Sequence, residues 1–404
     1  MIYQNKYKKA RVKDTFISCL LIGTALRIPV SVNATISLAE VLLALSLIFF
    51  PIYLKGRTVR LSKFEIKLWP LALLILTLLG IESLIHFNRI ASVFLLFEYL
   101  FIGILFVFIF NRIGINHRLY YKSLIVFSLY LAINTLYFNV LNYEIGQKLS
   151  VLKFGSRNYT SAVMLLIIPI IYLYIKEDIV PKLNILAYLS IFLMIIDIIF
   201  SGSRSNIVVL LFQITIYIFF VKNSIIKRVK IIIAIILIGL IAYNIILLIN
   251  PELSFVIKRY IAFFTGNSNA RNDILYSDIL RENLKNEAKE LISKNRYWGT
   301  GFPRLPSSGI PVHNFVYEII LGIGYIGFMV YSVYFIIFIG GIFKRISKES
   351  SIQFIMMVIT FLSISWVQPF MTTGKEFTLI FWLNVVAFYN YSHKFVKSKN
   401  CEIK

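Results

Sequence analysis

Two cysteines are all this chain has among 404 residues, Cys19 within the first apolar stretch and Cys401 in a basic tail. They are too few and too far apart for a disulfide framework or a zinc site. Charge is scarce as well: Asp, Glu, Lys and Arg make up 15% of the chain, where a soluble domain carries about 25%. The 19 acidic residues form no cluster that suggests metal ligands, so neither metal nor cofactor is expected. No small-residue cleavage site follows Arg27-Ile28-Pro29, so the basic N-terminus (Lys6, Lys8, Lys9, Arg11, Lys13) and its apolar run read as a retained signal-anchor helix.

What fills the chain is apolar surface. Hydrophobic residues reach 58%, against about 45–50% in soluble proteins, and no soluble fold hides that much. Apolar stretches of about 17–25 residues recur, the length that crosses ~30 Å of hydrocarbon as a helix. A bilayer core cannot hydrogen-bond exposed backbone, which makes spanning helices the default and excludes short barrel strands. The spans expected are 15–32, 36–54, 67–86, 90–110, 119–138, 159–175, 184–200, 206–221, 231–249, 313–343, 351–369 and 376–393.

A formal net charge of +23 raises the question of nucleic acid, but the basic residues are dispersed in short loops rather than gathered on one face. Topology accounts for them. With a cytoplasmic N-terminus, alternate loops and both tails hold 26 Lys and Arg, while the short opposite loops hold only Arg89, Lys148, Lys153, Arg157, Arg204 and Lys375. That bias places both termini in the cytoplasm. The segment 250–312 falls outside, with nine basic and six acidic residues, and long loops translocate largely regardless of charge.

Within that loop, Asn269 to Arg296 reads as an amphipathic helix, with Ile274, Leu275, Ile279, Leu280, Leu284, Ala288, Leu291 and Ile292 near helical spacing. Gly299, Gly301, Pro303, Pro306, Gly309 and Pro311 end it. Such a helix lies on the outer membrane surface, either as a simple cap or as part of a site. The expected fold class is an all-α polytopic membrane protein with about twelve transmembrane helices. It forms one integral membrane domain over residues 1–404, with 250–312 as a large extracytoplasmic loop between the ninth and tenth spans.

Arg204 stands in Ser201-Gly202-Ser203-Arg204-Ser205, an outer turn between two spans. An Arg so near hydrocarbon is expensive. Two readings stand open: it snorkels to headgroups or pairs with Asp197, or it holds a phosphate or diphosphate. Arg271 begins the loop helix, and Arg281, Arg296 and Arg304 follow on the same side. His313, where the loop re-enters the membrane, is either a structural hydrogen bonder or a general base near neutral pH. Asn314 follows it, then nine residues, then Gly324 and Gly327, a pair whose missing side chains allow close helix approach.

His-(Asn/Ser/Gln)-x9-Gly-x-x-Gly at the end of a large outer loop resembles the signature of the bacterial O-antigen ligase and polysaccharide polymerase family, and His313, Asn314, Gly324 and Gly327 match every fixed position. The Ser-Gly-Ser-Arg-Ser turn and the order Arg271, Trp298, Gly299, Gly301 before the His are similar too. The resemblance is strongest from about Asn158 to Gly327 and only architectural elsewhere.

What the resemblance implies is a metal-independent membrane glycosyltransferase of the bacterial plasma membrane. It would act on glycans carried by undecaprenyl diphosphate and need its site on the outer face. Arg204 and Arg271 would hold the donor's diphosphate, and His313 would take a proton from an acceptor sugar hydroxyl. Arg157, Arg296, Asn314 and Glu318 are positional candidates. Its partners would be lipid-linked oligosaccharide donor and acceptor, the bilayer, and the chain-length regulator and flippase of the same O-antigen, capsule or exopolysaccharide pathway. A polymerase is favoured because it serves several envelope types. A ligase fits the same residues, and a transporter or glycolipid flippase is the rival from another class, given Glu40, Glu82, Glu98 and Asp197 in apolar stretches.

Overall fold

The computed structural model describes residues 12–31, 34–39, 115–137, 157–220, 254–265, 271–301, 310–344, 348–368 and 375–402, with isolated positions beside them. The expected span 90–110, and most of 36–54, 67–86 and 231–249, lie outside the described residues. In chain order the elements are α1 (Val12–Gly23), β1 (Arg27–Ser31), β2 (Ala34–Ser37), α2 (His117–Leu136), α3 (Arg157–Lys176), α4 (Asn184–Phe200), α5 (Arg204–Phe220), α6 (Ser254–Thr265), α7 (Arg271–Lys294), α8 (Phe315–Phe343), α9 (Lys348–Val367) and α10 (Lys375–Glu402).

The chain is mostly helical. Among the described residues, five stretches are long and apolar enough to cross a bilayer: His117–Leu136, Asn158–Lys176, Pro181–Phe200, Phe315–Phe343 and Ser350–Val367. Helix α5 is apolar but shorter, at 17 residues. The first expected span, 15–32, ends early. α1 stops at Gly23, and β1 and β2 pair antiparallel, Ile28 with Ile36 and Pro29 with Thr35. Ile28, Val30, Thr35 and Ile36 are β-branched, which favours extended backbone. Pro29, lacking an N–H, sits beside the register shift between Pro29 and Ser31, where a ladder tolerates it.

Two compact units make up the chain: Met1–Leu124, Arg281–Ser351 and Ser365–Lys404 form the first, and Ile125–Leu280 with Ile352–Ile364 the second.

In the second unit α3 packs against α4 and α5, and 89% of its apolar window is buried inside protein against 33% for Pro181–Phe200. α3 is the centre of this unit, and α4 leaves most of its apolar surface free for lipid. Pro169 stands inside α3 and cannot donate to the carbonyl one turn back, that of Leu165. Gln213 of α5 supplies the missing donor, its Nε2 lying 2.9 Å from the Leu165 oxygen and 2.6 Å from Thr360 Oγ1. A buried proline is thereby accommodated by an interhelical bond, as membrane helices require. Nearer the helix start, Asn206 Nδ2 donates to the Asn158 carbonyl at 2.8 Å and to Ser161 Oγ.

In the first unit α8 is broken at Gly324, whose φ of 68° and ψ of −178° interrupt the helix. The break strands carbonyls on one side and N–H groups on the other, and the segment following α7 bonds two of each. Thr300 N donates to Leu321 O at 2.6 Å and Gly301 N to Gly322 O at 3.1 Å, while Tyr325 N donates to Arg296 O at 3.1 Å and Ile326 N to Tyr297 O at 3.4 Å. A side chain at Gly324 would place Cβ 2.0 Å from the Tyr297 carbonyl oxygen, and one at Gly299 would place it 2.6 Å from Gly324 N. Two glycines thus let the backbones touch. Gly327 differs: the Ile323 side chain fills its missing Cβ position.

Helix α7 begins at Arg271 and ends at Lys294, inside the expected limits. Its stripe of Leu284, Ala288 and Ile292 packs against Leu305, Val312, Ile320 and Leu321, so this face is spent on protein, while Ile279 and Leu280 are exposed. Further along the first unit, Phe335 and Phe338 of α8 pack against Trp382 of α10 at ring distances of 6.3 and 5.4 Å.

Candidate functional site

The expected site residues fall in both units, and each group is built by its own local structure. In the second unit the turn between α4 and α5 is made by its small residues. Gly202 takes a φ of 73°. Ser201 Oγ donates to Ile198 O at 2.7 Å and accepts from Ser203 N at 3.2 Å, and Ser203 Oγ lies 3.3 Å from Ser205 Oγ. The hydroxyls on either side of Arg204 are engaged in closing the turn.

Arg204 finds another partner. Its Nη2 donates to Asp278 Oδ1 at 2.9 Å and its Nη1 to Asp278 Oδ2 at 3.3 Å, a two-pronged fork between α5 and α7. The guanidinium carbon also lies 5.2 Å from the centre of the Phe263 ring of α6, a cation–π distance. Arg204 is 14% exposed and Asp278 50% exposed. Asp197, the partner considered from the sequence, is wholly buried in α4. Its carboxylate oxygens have no hydrogen-bond partner among the described residues, and Arg204 turns to Asp278 instead. Asp278 and Phe263 went unnoticed as site residues. The only signal for Asp278 was its place two turns after Arg271 on an amphipathic helix.

Arg271 opens α7 and Arg157 opens α3; their side chains lie outside the described residues, as does Arg304.

In the first unit His313 is the last residue before the cap of α8. Asn314 is that cap: its side-chain oxygen accepts from Val316 N at 3.0 Å and Tyr317 N at 3.3 Å, satisfying two otherwise orphaned donors. Asn314 is therefore committed to the backbone. His313 takes a φ of 58°, left-handed backbone that is uncommon outside glycine and enriched in Asn, Asp and His.

His313 is mostly buried. Burial lowers its pKa below the usual histidine value, the charge of Arg281 lowers it further, and a side-chain hydrogen bond with Gln368 acts in the opposite sense. The net effect keeps the imidazole neutral at neutral pH. Its Nδ1 is buried and has no hydrogen-bond partner among the described residues, so an acceptor hydroxyl reaches it only where the surrounding side chains part. A neutral imidazole with an uncommitted ring nitrogen can accept a proton. Gln368, 6% exposed at the end of α9, carries no motif that would have singled it out.

Glu318 is fully buried in the first turn of α8, its N–H donating to Asn314 O at 3.0 Å. Arg296 lends its carbonyl to the α8 break, and its guanidinium carbon lies 5.9 Å from the Tyr325 ring centre. The structure thus joins Arg204 to Asp278 in one unit, and His313 to Asn314, Arg281 and Gln368 in the other. Comparison of the chain with protein-family models finds no match, and comparison with curated proteins finds none.

Proposed function

We propose that this protein is a membrane-embedded polysaccharide repeat-unit polymerase, with about twelve spans and both termini in the cytoplasm of a bacterial cell. It transfers glycan from undecaprenyl diphosphate to an acceptor sugar hydroxyl at the outer face of the plasma membrane. The acceptor oxygen attacks the anomeric carbon and forms the new glycosidic bond. The bond from that carbon to the diphosphate oxygen breaks, and the lipid diphosphate leaves with the electron pair. His313 accepts the hydroxyl proton, and Arg204, with Arg271, holds the diphosphate as its charge grows.

One observation carries this reading: His313 stands at the head of a 29-residue apolar helix, in left-handed backbone, with its pKa lowered and Nδ1 unbonded among the described residues. The guanidinium of Arg204, paired with Asp278 in the structure, has the charge and paired donors that suit an anionic leaving group. The positive-inside bias of the loops and the resemblance of the His-to-Gly pattern support the sidedness and the substrate class.

The test is polymerisation of lipid-linked repeat units by the full chain in liposomes. Wild type yields a ladder of chain lengths, and His313→Ala, inserted at the same level, yields none. A normal ladder from His313→Ala overturns the reading.

A further inference from the structure

An arginine fork open to the bilayer surface would bind any phosphate near it, and the phosphodiesters of anionic phospholipids vastly outnumber any lipid-linked sugar donor. Three observations bear on how the fork at Arg204 avoids them. Both guanidinium prongs are already on the Asp278 carboxylate. The guanidinium is held from another side by the Phe263 ring at 5.2 Å, so its position does not depend on Asp278 alone. Asp278 itself is half exposed while Arg204 is nearly covered. The carboxylate can return to water when displaced, whereas the fork stays where it is.

We infer that Asp278 is a specificity-determining residue: a tethered carboxylate that occupies the Arg204 fork and yields it to a diphosphate but not to the singly charged phosphodiester of bulk phospholipid. This rests on the functional reading above and adds to it the basis of selection. Asp278 is held at the fork by α7 and competes for it as an intramolecular partner, which a lipid phosphate does not. A singly charged phosphodiester gains no more from the fork than Asp278 does. A diphosphate places more charge and more acceptor oxygens on the same donors, and it prevails.

The experiment measures binding of undecaprenyl diphosphate to the full chain in nanodiscs, first of phosphatidylcholine alone and then with increasing phosphatidylglycerol. Wild-type affinity should change little as phosphatidylglycerol rises. Asp278→Asn should bind about three- to tenfold more tightly in phosphatidylcholine, the size expected when one partly exposed ionic competitor is removed. It should then lose that advantage as phosphatidylglycerol rises. Asp278→Glu, which keeps the charge, should follow wild type, and Arg204→Ala should bind weakly in every bilayer. Equal affinity and equal phosphatidylglycerol response in wild type and Asp278→Asn overturn the inference and leave the polymerase reading standing. Weaker binding by Asp278→Asn in phosphatidylcholine also overturns it, because the carboxylate would then be a support for the site. A wild-type chain that binds no diphosphate in any bilayer sinks the functional reading and this inference together.

Discussion

Replacing Gly324 with alanine tests the most tightly specified contact in the first unit. At φ 68° and ψ −178° the residue occupies a region that is essentially reserved for glycine, and holding an L-residue there costs on the order of 1–3 kcal/mol. The added Cβ would also lie 2.0 Å from Tyr297 O, 2.3 Å from Tyr297 C and 2.5 Å from Trp298 N. These are backbone atoms and cannot rotate away. The segment around Tyr297 must therefore move, and with it go the four backbone bonds that bridge the α8 break. Each such bond contributes about 0.5–1.5 kcal/mol net, so the combined loss is at least about 3 kcal/mol. Gly340→Ala, also in α8, is the control. A Cβ there meets nothing within 4 Å, and exchanging a helical glycine for alanine should leave stability unchanged or raise it by up to about 1 kcal/mol. Thermal unfolding in detergent reads the stability difference, and limited trypsin digestion reads release of the segment as new cleavage after Arg296. Equal unfolding temperatures for the two variants, or Gly324→Ala without new cleavage, would refute the docking argument.

Other consequences follow from individual contacts. Gln213→Leu leaves the Leu165 carbonyl without the donor that Pro169 obliges it to find, at a cost of about 1–2 kcal/mol; Pro169→Ala restores an intrahelical donor and should recover most of that loss, so an unfolding cycle with no rescue counts against the assignment. Asn314→Ala removes the α8 cap and should cost about 1 kcal/mol, whereas Asn314→Asp keeps the acceptor and should stay near wild type in the same unfolding assay. Arg281→Gln removes a positive charge that lowers the His313 pKa. Because the base works unprotonated, the acid limb of the polymerisation rate should move to higher pH, and an unmoved limb would mean that His313 is not the titrating base.

Much of this structure was legible because hydrophobic length is a strong signal. His117–Leu136, Asn158–Lys176 and Pro181–Phe200 lie within a few residues of the expected spans, since an unbroken apolar run of about twenty residues has few other uses. The early end of α1 was less visible. Residues 24–37 are more polar than the spans, with Arg27 and Asn33 among them, and this, with their β-branched content and Pro29, is the hint that the apolar run of α1 does not continue as helix. The partner of Arg204 was not readable at all. Asp197 is close in sequence, but Asp278 is 74 residues away, and no local rule connects residues across such a distance.

The His-to-Gly pattern shows how one string of residues carries several separate physical demands. Two glycines three apart suggest helix crossing, yet here Gly324 breaks the helix and receives another segment, while Gly327 is covered by its own helix. Asn after His suggests a second polar group for chemistry, yet Asn314 caps α8. With those two roles assigned to the backbone, His313 is left as the titratable side chain of the pattern, on left-handed backbone next to the cap. The cap and the break set where α8 begins and bends. They fix the imidazole beside the charge of Arg281 and the amide of Gln368, and those neighbours together with burial set its protonation. Substitution at Gly324 should therefore impair His313 at a distance: the fraction of protein still folded should show a rate loss together with an altered acid limb. A pure stability defect would instead lower the amount of active enzyme and leave the pH profile of the remainder unchanged.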